Sequence, residues 1–152
     1  MRFTKMQGLG NDYVYLNCTG GLPDNLPELA ARLSDRHFGV GADGLICICP
    51  SERADFGMRI FNADGSEGAM CGNGIRCLGK YVYDKGLTRK TSLLTVETAS
   101  GVRYLELFLR DGRVHAVLVD MGRPALLLPV KLTVAGRTWL AVPVSAGNPP
   151  AV

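Results

Sequence analysis

The sequence has no long apolar run, no block of like charge and only two histidines. No stretch approaches the ~18 consecutive apolar residues of a membrane-spanning helix, so no membrane partner is expected. The N-terminus, Met1-Arg2-Phe3-Thr4-Lys5, lacks the apolar centre of a secretory signal, and the resulting expectation is a cytoplasmic protein. Lys and Arg number 17 against 14 Asp and Glu, a net charge of +3. The longest basic cluster is Arg89-Lys90, far short of a stripe that tracks a phosphate backbone, which argues against nucleic acid as a partner. His37 and His115 stand alone, too sparse in ligand-type neighbours for a metal centre. Five cysteines with no secretory signal read as free thiols rather than a disulfide framework. Cys47 and Cys49, two apart in an extended apolar run, share a face and read as small buried side chains.

What is present suffices for one core. A chain of 152 residues buries about 70% of the surface its unfolded form exposes. Strand-like runs are expected at Phe3–Met6, Tyr13–Asn17, Leu45–Cys49 and Met58–Phe61, with turns at 8–12 and 62–65. Leu26, Leu29, Ala30 and Leu33 fall on one helical face, starting near Asp24–Pro27 and ending before Gly39. Ile75, Leu78, Gly79 and Val82 mark a second, largely uncharged helix that Gly86 ends. Beyond Leu93 the pattern is extended: Thr95–Thr98, then Val102–Leu109 and Val114–Val119 about the turn Asp111-Gly112, then Val130–Val134 and Arg137–Val142 about Ala135-Gly136. Many strands, two helices and no strand–helix–strand alternation predict an α+β domain with a mixed or antiparallel sheet curling around a buried helix.

The most informative stretch is Met70-Cys71-Gly72-Asn73-Gly74-Ile75-Arg76-Cys77. It places a thiol directly before a glycine-rich turn that opens the second helix. A helix N-terminus favours thiolate over thiol, and its free backbone N–H groups can hold a carboxylate. Base and anion cradle would then come from one segment. The same residues also suit a buried cysteine before a turn that merely starts a helix, and the residues alone leave both readings open. Cys77 lies six positions on, on another helical face, and reads as core. Gly8-Leu9-Gly10-Asn11-Asp12 and Phe61-Asn62-Ala63-Asp64-Gly65-Ser66 end strands and present Asn side chains. Gly39-Val40-Gly41-Ala42-Asp43-Gly44 lacks the lysine of a phosphate loop and precedes a strand rather than a helix.

Three blocks, in order, resemble the diaminopimelate epimerase family. They are Phe3-Thr4-Lys5-Met6-Gln7-Gly8-Leu9-Gly10-Asn11-Asp12-Tyr13, Arg36-His37-Phe38-Gly39-Val40-Gly41-Ala42-Asp43-Gly44, and Phe61 through Ser66 into Glu67-Gly68-Ala69 and the Cys71 turn. Gly147-Asn148-Pro149 is a weaker fourth match. The resemblance implies a sheet curled into a barrel around a central helix, as the first of two similar domains. Residues 1–115 would form the N-terminal domain with the first catalytic cysteine, and 116–152 the opening strands of a truncated second domain. It implies inversion of LL-diaminopimelate to the meso form in lysine and peptidoglycan precursor synthesis, without pyridoxal phosphate or metal. One cysteine as thiolate removes the α-proton and another as thiol delivers one to the opposite face. On this match Cys71 is catalytic. Asn11, Asn62, Asn73 and Asn148 contact substrate, Gly72 and Gly74 form the carboxylate-binding turn, and the assembly is a homodimer.

The chain departs from the family pattern in two ways. No second Cys-Gly turn, nor the Glu-Arg pair of the family's second half, occurs in these residues. Pro150 stands where the family usually has His. The expectation is therefore a polypeptide that does not epimerise by itself. A related cofactor-independent racemase, against which Asn73 argues because those enzymes usually carry His there, and a non-catalytic module of the same fold are the alternatives.

Overall fold

A computed structural model describes residues 1–145. Asn148, expected as a substrate contact, and Pro150 lie outside the described residues. The contacts divide the chain into two units, Met1–Asp120 and Met121–Val152.

The first unit opens with a hairpin of β1 (Thr4–Gly8) and β2 (Asn11–Asn17). The expected five-residue turn contracts to Leu9-Gly10, with φ of 56° and 85°. A two-residue turn with both φ positive matches strand twist, and it moves Asn11 and Asp12 into β2. Helix α1 (Leu26–Ser34) follows, with Pro27 in its first turn and Leu26, Ala30 and Ser34 buried at four-residue spacing. Then come β3 (Gly44–Cys49), buried at every position, β4 (Phe56–Asn62) and the short β5 (Glu67–Gly68). Helix α2 (Gly72–Asp84) buries Gly74, Ile75, Cys77, Leu78, Gly79 and Val82. Strands β6 (Leu94–Thr98), β7 (Gly101–Arg110) and β8 (Arg113–Val119) complete the unit.

The sheet order is β1-β2-β3-β4-β6-β7-β8, with β5 beside β4. Helix α2 touches both edge strands, β1 and β8, as well as β2 and β7. A sheet can bring its two edges to one helix only by curling around it, as expected from the sequence. Helix α1 packs on β2, β3 and β4, against the opposite set of alternating side chains. Val14, Leu16, Leu45, Cys47, Cys49 and Phe61 share its cluster, while Tyr15 and Ile46 point to α2.

One expectation is corrected. The pairs β2–β3 and β4–β6 are parallel, and each connection carries a helix. Strand–helix–strand crossovers are therefore present. They are masked in the sequence because antiparallel strands flank each one, β1 before β2 and β7 after β6, and β3 returns antiparallel into β4.

In the second unit, β9 (Ala125–Leu126) pairs antiparallel with β12 (Val144–Ser145). Between them in sequence, β10 (Val130–Val134) and β11 (Arg137–Ala141) form the expected hairpin about Ala135-Gly136.

Candidate active site

Cys71 is the N-cap of α2. Its backbone is extended (φ −136°, ψ 116°) and its Sγ accepts the Gly74 N–H at 3.3 Å. Its carbonyl accepts the Ile75 N–H at 2.9 Å. The glycine at 74 has a packing reason. A Cβ there would sit 2.6 Å from Ile46 Cδ1, so its absence lets the first turn of α2 seat on β3. Tyr15 fixes the same turn from β2, donating its hydroxyl to the Gly74 carbonyl at 3.0 Å. Cys71 is half-buried and free, whereas Cys18, Cys47, Cys49 and Cys77 are buried and free. Burial pushes the thiols of those four up, which keeps them protonated and unreactive.

The start of β2 brings Asn11 to the sulfur, with Asn11 Oδ1 3.3 Å from Cys71 Sγ. Asn11 Nδ2 donates to Asp43 Oδ2 at 2.6 Å. Asp43 also accepts the Asp12 N–H at 3.1 Å, and its other oxygen pairs with Arg36 at 2.9 Å. Arg36 grips Asp12 as well, at 2.8 Å, and Lys5 lies 3.1 Å from the second Asp12 oxygen. The Arg36 guanidinium, and Lys5 after it, hold the Asp12 carboxyl well below the usual carboxylate range although burial opposes them. The Tyr13 phenol lies against both Cys71 and Asn11. Burial first, and then the adjacent sulfur, pushes it up.

Asn62 is at the same end of the sheet. The Cα register sets Tyr13 beside Gly44 and Gly44 beside Asn62. A Cβ at Gly44 would fall 2.2 Å from the Phe61 carbonyl, so only glycine lets the three strand ends close together there. Asn62 is exposed and donates Nδ2 to Ser66 Oγ at 2.9 Å. Asn73, in the first turn of α2, accepts through Oδ1 from the Arg76 guanidinium. The end of β1 abuts it: a Cβ at Gly8 would lie 3.3 Å from the Asn73 carbonyl.

The fold thus gathers Asn11, Asn62, Cys71, Gly72, Asn73 and Gly74 at one end of the sheet. Cys71 and Asn11 touch, and Asn62 is held by its own loop. Participants for which the sequence gives no such signal include Arg36, Asp43 and Tyr13. All three stand in the motif blocks quoted above. Their bonds are long-range in sequence, and spacing alone assigns them no partner. Among the described residues no group of three or more His, Cys, Asp or Glu is placed to hold a metal ion, and no helix is long and apolar enough to cross a membrane.

The sequence model of diaminopimelate epimerase matches residues 3–127. The chain belongs to the diaminopimelate epimerase family. It is 52% identical to the diaminopimelate epimerase of Acetivibrio thermocellus over an alignment covering all of this chain and 59% of that relative. It is 48% identical to the one from Agathobacter rectalis, covering all of this chain and 60% of that protein. For the Methanococcus maripaludis enzyme the identity is 47%, with 59% of the relative covered. The chain therefore spans about three-fifths of the length of these curated relatives. Among solved structures, a hydroxyproline epimerase from Agrobacterium vitis superposes with a TM-score of 0.72 at 16% identity, covering 93% of this chain and 48% of that one. A probable proline racemase from Agrobacterium radiobacter gives 0.71 at 18% identity, with the same coverage. At such identities the likeness is one of fold: this epimerase-family chain has the mixed, curled sheet of those proteins.

Proposed function

We propose that this chain supplies one half of a cofactor-independent, two-thiol site that inverts the α-carbon of diaminopimelate, with Cys71 as its acid–base group. The observation that carries this reading is the half-buried Cys71 sulfur at the head of α2, set against four thiols that burial holds inert. As thiolate, Cys71 takes the α-proton. The electron pair of the broken Cα–H bond passes into the substrate carboxylate, which N–H groups at the α2 N-terminus stabilise. Gly72, Asn73 and Gly74 form that turn, and Asn11, Asn62 and Asn148 contact the rest of the substrate. A second thiol on the opposite face returns a proton. None of Cys18, Cys47, Cys49 or Cys77 is available for that step, so the second group comes from outside these residues.

In this reading residues 1–115 are the first epimerase domain and 116–152 begin a second. The assembly is a homodimer, the reading that family resemblance supports. Five free thiols fit the reducing cytoplasm.

The test is deuterium wash-in from D2O into LL-diaminopimelate, with the 152-residue chain and with Cys71→Ala. Exchange at the α-carbon without inversion, lost in Cys71→Ala, is the expected result. Equal exchange in both removes Cys71 from the chemistry. Inversion by the unaltered chain removes the need for a second half.

A further inference from the structure

We propose that Asp43 is a positioning residue for the Cys71 thiol, acting through Asn11. It holds the Asn11 amide so that the carbonyl oxygen, and not the NH2 group, faces the sulfur. The proposal rests on Cys71 being the reacting thiol, as argued above.

The geometry is directional. Asp43 Oδ2 lies 2.6 Å from Asn11 Nδ2, and an ionised carboxylate only accepts hydrogen bonds. The amide must therefore present its NH2 to Asp43, which leaves Oδ1 for Cys71 at 3.3 Å. An amide carbonyl can only accept, so this arrangement suits Cys71 as a donating thiol, the state in which it returns the proton when the inversion runs in the reverse direction. Rotated by half a turn, the same side chain would offer N–H to the sulfur and favour the thiolate instead, because a hydrogen bond to the charged form stabilises it. Asp43 is itself secured twice, by the Asp12 N–H on one oxygen and by Arg36 on the other. Arg36 is anchored in turn by Asp12. Strand β2 carries Asn11 and Asp12, the segment before β3 carries Asp43, and the segment after α1 carries Arg36. The clasp thus ties three separate chain segments to the orientation of one amide. The hydrogen bonds of the Asp43 side chain run to Asn11, Asp12 and Arg36, so the bonded route from Asp43 to the reacting sulfur passes through Asn11.

Two substitutions separate this role from simple structural support. Asp43→Ala removes the acceptor. Asp43→Asn keeps a carbonyl able to accept from Asn11 Nδ2 and the Asp12 N–H, while losing the charge opposite Arg36. The readouts, on the 152-residue chain, are the iodoacetamide alkylation rate of Cys71 by peptide mapping and the Asn11 side-chain amide signals in 15N NMR. Asp43→Ala should raise the alkylation rate about threefold or more, because the freed amide can turn a donor to the sulfur. It should also move the Asn11 amide signals upfield. Asp43→Asn should stay within about twofold of the unaltered chain, because its carbonyl preserves the clasp. An unchanged or slower rate in Asp43→Ala overturns the proposal, as does an equal rise in both variants. If Cys71 alkylates no faster than the buried thiols in every variant, the reading of Cys71 as reactive fails. The Asn11 amide signals then decide the clasp alone, and unshifted signals in Asp43→Ala overturn it.

Discussion

The Tyr15 hydroxyl donates to the Gly74 carbonyl at 3.0 Å, joining β2 to the first turn of α2. The ring is fully buried and stacks on Tyr81, with centroids 6.5 Å apart. Burial pushes its ionisation well upward, so the group is a neutral donor at every working pH. Tyr15→Phe should keep the packing and lose this bond together with the hydroxyl's interaction with the Cys77 thiol. The Gly74 carbonyl retains its partner within the helix, so the loss is expected to be about 1 kcal/mol. Urea denaturation measures it, and a variant as stable as the parent would show that the bond contributes nothing to seating the helix.

Gly74 meets the same seam from the other side. A methyl group there would lie 2.6 Å from Ile46 Cδ1. Gly74→Ala gains helix propensity but overpacks the interface, and it should destabilise by about 1–3 kcal/mol. Ile46→Val deletes the atom in question. The double variant should therefore recover part of the loss, a coupling that a double-mutant cycle reads directly. Additive effects would place the strain elsewhere.

Cys71 has two separable duties, capping α2 and carrying a proton. Ser at an N-cap accepts the same backbone N–H, whereas Ala does not. Cys71→Ala should lose about 1 kcal/mol of stability relative to Cys71→Ser, while both abolish α-proton exchange. Thermal melts and deuterium wash-in, run on the same samples, separate the two duties. Exchange retained in the serine variant would mean that an oxygen at this position suffices as the base.

Much of this arrangement is legible in the sequence because it is local. The face of α2 is set by Ile75, Leu78, Gly79 and Val82, all buried as the 3.6-residue period requires. The hairpin about Asp111-Gly112 follows from residues that tolerate positive φ. What escapes is what depends on partners distant in the chain. The parallel pairing of β2 with β3 and of β4 with β6 is fixed by which edges meet after a helix intervenes, and no spacing within either strand records it. The bond from Asn11 to Asp43 spans 32 positions. In sequence each of those residues is an ordinary turn former, and only the closure of the sheet end at Gly44 makes them partners.

Asp12 makes the acid stability of this sheet end a measurable quantity. Arg36, and to a smaller extent Lys5, depress its ionisation in the folded chain, while in the unfolded chain an aspartate titrates at about 3.9. A depressed folded value means that the unfolded state binds the proton more readily. The contribution is therefore fully present above the unfolded value and disappears as pH falls toward the folded one. Several other carboxylates are lowered in the same sense, among them Asp55, Glu67 and Asp84, so the acid limb of the parent alone does not isolate Asp12. The difference between the parent and Asp12→Asn does. At neutral pH the variant should be the less stable of the two. The gap should close as pH falls below about 4, because the parent then loses the charge that the variant never had. Urea midpoints taken from pH 7 to pH 2 give that difference curve. A gap that stays constant across the range would mean that Asp12 acts there through shape and hydrogen bonding rather than through its charge.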